Sequence, residues 1–262
     1  MLVTAFAPVA CAVDPARRRG PSTPAGRADR RAAPAYGANP AERPVALVYR
    51  GPAAIPGCPE AVAALIRDSA WNFDVRYAGP NEQTKLTAAA LSGAGLYAQP
   101  GGGELDDGYR HMRPYASDIR AYVAAGGRYL GFCLGGYLAG ATPGFGLLPG
   151  DAGQFIATPG ASVRTDRDTL VEVRWRDRRI RLYFQDGPYF WTGGKASGVT
   201  VLATYTNGRI AAMVAPYGRG RVGVVGPHPE ATADWYEEHR LVNPGGVDPA
   251  PGRDLIDTLM RA

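Results

Sequence analysis

The sequence predicts an α/β fold: a doubly wound, mostly parallel sheet with helices on both faces and β-rich additions in the C-terminal half. Three observations carry that expectation. Compact apolar runs alternate with helical spacings between residues 45 and 139, the pattern of parallel strands joined by covering helices. Glycine-rich turns, at Gly101-Gly102-Gly103 and around Cys133, fall where two of those strands end, and such sheets hold ligands at the carboxyl ends of their strands. After Gly150 the chain changes to closely spaced β-rich segments.

Taken in order, Val45-Ala-Leu-Val-Tyr49 lies between Pro44 and Gly51-Pro52 and reads as the first central strand. A helix is expected from Pro59, with Val62, Leu65 and Ile66 as its apolar stripe, ending near Asn72. Phe73–Tyr77 gives a second strand, Leu86–Leu91 a short helix and Gly95–Gln99 a third strand. Asp106 to Ala125 has the spacing of one long helix, with Tyr109, Met112, Ile119, Tyr122 and Val123 facing inward. Tyr129, Leu130 and Phe132 form a short buried strand before Cys133, and Leu134, Tyr137 and Leu138 resume helical spacing after it. Further strands are expected at Thr169–Trp175, Arg179–Phe184, Val199–Tyr205, Ile210–Ala215 and Arg221–Val225, and a last helix at Arg253–Met260. The segments from 169 onward either extend the sheet or make an antiparallel flap. No Pro/Ser-rich linker separates the halves, which favours one domain over 44–262.

Residues 1–43 are rich in Ala, Pro, Arg and Gly without periodicity and read as a disordered or processed tail. Val9-Ala10-Cys11 resembles the end of a lipoprotein signal, so Cys11 is either a lipidation site on an exported protein or part of a flexible tail on a cytoplasmic one. The tail holds seven Arg against Asp14, Asp29 and Glu42, which is +4 of the chain's +5. The body is then nearly neutral, so no specific nucleic-acid partner is expected. No run of 18 apolar residues exists to span a membrane. Three cysteines and three histidines, widely scattered, argue against a disulfide scaffold and a metal site. No cofactor is expected. Gly218-x-Gly220-x-x-Gly223 matches a dinucleotide fingerprint in letters but precedes a strand instead of following one, and is rejected. Oligomeric state is left open.

Gly131-Phe-Cys133-Leu-Gly135-Gly136 has the form of a nucleophile elbow, in which a tight strand-to-helix turn thrusts the side chain outward and small neighbours leave room for substrate. A helix N-terminus behind the sulfur favours thiolate. The strand Arg221–Val225 empties through Gly226 into Pro227-His228-Pro229-Glu230. Residues two apart in an extended segment point the same way, so Glu230 can orient the His228 imidazole while its other nitrogen faces Cys133. Thiol, imidazole and carboxylate in that order suit attack on a carbonyl. Leu182–Trp191 packs aromatics around Asp186 and Gly187, either as an ordinary core strand and turn or as a pocket wall in which Asp186 and Tyr189 bind a polar substrate group. Cys58 follows the first strand and is either a bystander or a disulfide partner of Cys133. His111 and His239 belong on solvated surfaces.

Pro100-Gly101-Gly102, Gly131–Gly136 and His228-Pro-Glu230 resemble the three signature stretches of class I glutamine amidotransferase-like domains, over most of residues 44–260. Tyr49-Arg-Gly-Pro52, the elbow through Tyr137 and Phe184-Gln-Asp-Gly-Pro-Tyr-Phe190 are most similar to the domain at the N-terminus of biotin-protein ligases and its stand-alone bacterial forms. The resemblance implies a flavodoxin-like sheet, with Cys133 as nucleophile, His228 as base and Glu230 as orienter. It also implies an oxyanion hole made by the Leu134 N–H and one N–H of the loop containing Gly101 and Gly102. Glutaminases of this superfamily carry Gln four residues after the nucleophile, whereas this chain has Tyr137, whose phenol would remodel the substrate pocket. The expected function is therefore a cysteine-dependent amidohydrolase-like enzyme acting on a small-molecule or peptide-like substrate. The alternatives are a catalytically silent binding or regulatory module, or a cysteine peptidase of the same superfamily.

Overall fold

A computed structural model describes residues 43–194 and 196–261; the expectations for residues 1–42, Cys11 among them, lie outside the described residues. One eleven-stranded mixed sheet runs through them. Its strands are β1 (Val45–Tyr49), β2 (Asp74–Ala78), β3 (Leu96–Gln99), β4 (Arg128–Phe132), β5 (Gly150–Gln154), β6 (Thr169–Trp175), β7 (Arg178–Phe184), β8 (Pro188–Thr192), β9 (Thr200–Tyr205), β10 (Ile210–Tyr217) and β11 (Gly220–Val225). The helices are α1 (Cys58–Arg67), α2 (Ala88–Ser92), α3 (Leu105–Met112), α4 (Ala116–Ala124), α5 (Leu134–Ala139), α6 (Ala233–Glu238) and α7 (Ala250–Arg261).

The main path of the sheet is β2-β1-β3-β4-β11-β10-β9-β6-β7. From β2 to β11 neighbours are parallel, and from β11 onward they are antiparallel. The side arm β5–β8 joins through β10. The segments after Gly150 thus extend the sheet.

Period-two alternation divides each parallel strand between two cores. Ala46 and Val48 of β1 face one core, where Ile66 of α1 and Leu255, Ile256 and Leu259 of α7 cover the sheet. Leu47 and Tyr49 face the other, covered by Leu91, Met112, Ile119, Val123, Leu134 and Leu138 from α2 to α5. Helices on both faces follow from strands that are apolar on both sides.

The expected helix 106–125 is two helices, α3 and α4, joined by a 3-10 turn at Arg113–Tyr115. Pro114 has no N–H for the carbonyl one turn back, and its ring crowds that carbonyl, so the apolar stripe continues across a break. The first helix stops at Arg67, short of the expected Asn72, and Asn72 takes a left-handed φ of 50° in the turn that follows. Two strands were absent from the sequence reading. β5 reads Gly-Asp-Ala-Gly-Gln, without a β-branched or aromatic residue, and β8 opens with Pro188.

The antiparallel half folds back on itself. β7 and β11 are separated along the sheet by β10, β9 and β6, yet the His228 N–H donates to the Tyr183 carbonyl at 2.9 Å. The Gln185-Asp186-Gly187 turn, leaving β7, is so close to the end of β11 that a Cβ on Gly187 would lie 2.2 Å from the Gly226 carbonyl oxygen. Two halves of one sheet therefore meet at the carboxyl ends of β4 and β11.

Candidate active site

Cys133 sits between β4 and α5 with φ 47° and ψ −106°, a backbone conformation that costs a non-glycine residue on the order of 1–3 kcal/mol. The surroundings hold it there. Its N–H donates to the Val225 carbonyl at 2.9 Å, and glycine is required at both flanks. A Cβ on Gly131 would lie 2.4 Å from the Gly135 carbonyl oxygen, and one on Gly135 would lie 2.0 Å from that of Gln99. The side chain is nearly buried, at 7% exposure, and the thiol donates to the Gln185 carbonyl at 3.6 Å. Because α5 spans six residues, its dipole is a weaker support for thiolate than a full helix would be.

His228 lies beyond β11 and Glu230 two residues on, and both are buried. Nδ1 of His228 is 2.8 Å from Oε1 of Glu230. That contact fixes the tautomer at Nδ1 and leaves the other ring nitrogen free to face Cys133, whose sulfur is close enough to act on the imidazole electrostatically. Burial works against protonation of His228, but the Glu230 carboxylate and the Cys133 sulfur outweigh it and raise the imidazole from 6.5 to about 10. The second Glu230 oxygen, Oε2, is buried without a partner among the described residues. Aromatic rings enclose the imidazole: Trp235 at 5.4 Å and Tyr183 at 5.9 Å, both edge-on.

The Gly101–Gly103 loop closes the other side. A Cβ on Gly101 would lie 2.9 Å from His228 Cε1, 3.3 Å from Cys58 Sγ and 3.8 Å from Cys133 Cβ, and one on Gly102 would meet the Leu134 side chain at 2.4 Å. Gly101, Gly102 and Leu134 thus pack together around Cys133. Cys58 is a buried free thiol at the start of α1, pushed up chiefly by burial and further by Glu230 and Cys133, so it is protonated and inert at neutral pH.

A cleft of about 350 Å³ opens beside Cys133, with Tyr137 and Asp186 among its walls. The Tyr137 hydroxyl donates to the Asp186 carbonyl at 3.0 Å, tying α5 to the turn after β7. Tyr189 is a correction: it does not line this cleft. It projects to the opposite side of β8 from the core residue Phe190, where its ring packs 5.4 Å from Trp191 beneath the Arg209 guanidinium. Gln154, Glu104, Asp166 and Gln185 also line the cleft and were missed by sequence reasoning. Glu104 directly follows the glycine loop and was findable, whereas Asp166 lies in an irregular loop with no periodic signal. His111 and His239 are each partly exposed, beside Asp107 and Asp168 respectively. Among the described residues no group of three His, Cys, Asp or Glu side chains is placed to hold a metal ion, and no helix is long and apolar enough to cross a membrane.

Solved structures share this architecture. A glutamine amidotransferase crystal structure superposes with a TM-score of 0.56 at 17% identity, covering 83% of this chain and 100% of the other. A GMP synthase candidate from Thermoplasma acidophilum gives 0.52 at 11% identity, covering 84% and 94%. The fold is that of the class I glutamine amidotransferase-like proteins. Within it, the family described as biotin-protein ligase, N terminal, matches residues 45–148 and 157–248, and the chain belongs to that family. No curated protein matches it at a significant level.

Proposed function

We propose that residues 44–262 act as one cysteine-dependent amidohydrolase-like domain, in which Cys133, His228 and Glu230 work as a catalytic triad on an amide or related carbonyl. The observation that carries this reading is the pairing of a buried imidazole with Glu230 at 2.8 Å beside a thiol held at a strained strand-to-helix turn. The Cys133 thiolate adds to the carbonyl carbon, and the developing oxyanion is met by the Leu134 N–H and an N–H of the Gly101–Gly102 loop. Protonated His228 gives its proton to the departing amine, leaving a thioester. Neutral His228 then takes a proton from water, whose oxygen displaces the sulfur and releases the acid. Glutamine is a poor fit because Tyr137 occupies the position of the glutaminases' Gln and is anchored to the Asp186 carbonyl.

The test is intact mass spectrometry of the full chain with chloroacetamide and with a panel of amides and aryl esters. The expected result is single labelling at Cys133 and an acyl adduct in wild type, the adduct being absent in Cys133→Ala and slow to clear in His228→Ala. Absence of an acyl adduct with every panel member would overturn the enzyme reading in favour of a binding module.

A further inference from the structure

The Cys133 thiol donates to the Gln185 carbonyl at 3.6 Å, so the negative end of a peptide dipole faces the atom that the triad needs as an anion. A carbonyl there disfavours thiolate, whereas an N–H would favour it. The peptide carrying that carbonyl is the least anchored link of the turn between β7 and β8. Before it, Phe184 is fully buried; after it, Gly187 is pressed against the Gly226 carbonyl. Asp186 is held through its own carbonyl by the Tyr137 hydroxyl at 3.0 Å and through Oδ2 by Gln154 Nε2 at 2.8 Å. Between those anchors, the Gln185 carbonyl meets the Cys133 thiol and the Asp186 N–H makes no backbone hydrogen bond among the described residues. Asp186 also keeps φ at 47°, in the left-handed region that a non-glycine residue occupies at a cost. A half-turn of the Gln185–Asp186 peptide leaves both Cα atoms in place and carries that φ to about −130°, within the broad extended region. Type I and type II turns are related by the same rotation.

Resting on the triad reading above, we propose that the Gln185–Asp186 peptide is a two-position switch for Cys133: carbonyl inward holds a dormant thiol, and N–H inward holds the reactive thiolate. The two positions trade opposite terms. With the carbonyl inward, the turn gains the S–H bond and bears the strained φ. With the N–H inward, the strain is released and the sulfur gains a charge-assisted bond. The proton that leaves the sulfur passes to the His228 nitrogen not engaged by Glu230. Gln185 and Asp186 both line the cleft, so a compound seated there touches the switch directly. Asp186 is thus a positioning residue that acts on the sulfur through its backbone.

The test on the full chain is the ultraviolet thiolate absorbance of Cys133 at pH 7, taken as the difference between each protein and its Cys133→Ala counterpart, which cancels Cys58. Asp186→Gly, Asp186→Ala and Asp186→Val all remove the carboxylate and differ in their tolerance of positive φ: glycine adopts it freely, alanine at a cost and a β-branched residue least of all. The absorbance is expected to rise in the order Gly, Ala, Val, with about threefold or more between the ends. Crystal structures should show the residue-185 carbonyl facing Cys133 in Asp186→Gly and the residue-186 N–H facing it in Asp186→Val. The pair Asp186→Gly and Asp186→Ala decides the matter if Asp186→Val does not fold. Equal absorbance across the series, even with lowered thermal stability, would make Asp186 merely structural and overturn the proposal, as would the reverse order or an inward carbonyl in every variant. Failure of the hydrolase reading would look different, as an ordered absorbance series with no acyl adduct from any amide or ester.

Discussion

At Gly101 a single added carbon would collide with the His228 ring, crowd Cys58 and touch Cys133, so the position of the imidazole depends on a side chain that is not there. The consequence of that placement is a proton held well beyond neutrality. His228 rises to about 10 because Glu230 and the Cys133 sulfur outweigh the cost of burying its charge. A raised folded value means that its contribution to stability is fully present below the unfolded value near 6.5 and is lost as pH climbs through about 10. Urea unfolding of wild type against His228→Gln should therefore show a gap that narrows between pH 6.5 and 10.5, and a widening gap would contradict the assignment. In the same pair, alkylation of Cys133 at pH 7 should slow by about tenfold or more in the variant, because the imidazolium that favours thiolate is gone. That Cys133, His228 and Glu230 would lie close together was legible in the sequence because each follows a strand with glycine or proline close by. Gln154 and Asp166 were not, because loop positions carry no periodicity and reach the cleft only through tertiary packing. Tyr189 misled for a related reason: the alternation along β8 could be read, but not which face was which.

Among the elements, α7 shows how a helix is fixed to a sheet it does not follow in sequence. Its apolar face, Leu255, Ile256 and Leu259, is buried, but a polar clamp sets its register. Asp254 accepts from Trp175 Nε1 at 2.8 Å and from Arg176 Nε and Nη2 at 2.9 and 3.0 Å, at the β6–β7 turn. Burial works against ionisation of Asp254, yet the Arg176 contacts prevail and lower its pKa, so this stabilisation is present above the usual carboxylate value and fades as pH falls through the lowered one. Asp254→Asn should cost about 1–2 kcal/mol after allowance for partial exposure, measured by urea denaturation at pH 7. The difference from wild type should shrink under acid. The apolar stripe of α7 was legible, and its start was placed only three residues late; the clamp was not, since 78 residues separate Asp254 from Arg176. Elements with strong periodicity, such as β1 and β6, were read to the residue, while β5 was lost for want of any strand-favouring side chain.

The whole molecule depends on how its sheet closes. Alternating strands and helices made the parallel half legible, and the turn signals between 169 and 225 made β6, β7, β9, β10 and β11 legible, though not β8. Its fold-back was not, because pairing across the β7 edge depends on twist accumulated through several strands. That edge is guarded where it is open by exposed Arg178, Arg179 and Arg181, charges that discourage another chain from adding to it. Where it is closed, at Tyr183, it carries the loop of His228. Denaturant unfolding followed by Cys133 alkylation, by far-UV circular dichroism and by tryptophan fluorescence should therefore give one coincident transition, and early exposure of the thiol would show that the site opens on its own. The fold-back has a practical consequence for finding ligands. A compound that touches both α5 and the turn after β7 bridges the two ends of one cooperative structure, so its binding is linked directly to global unfolding, by RT ln(1 + [L]/Kd). Thermal shift can then rank candidate carbonyl compounds independently of turnover.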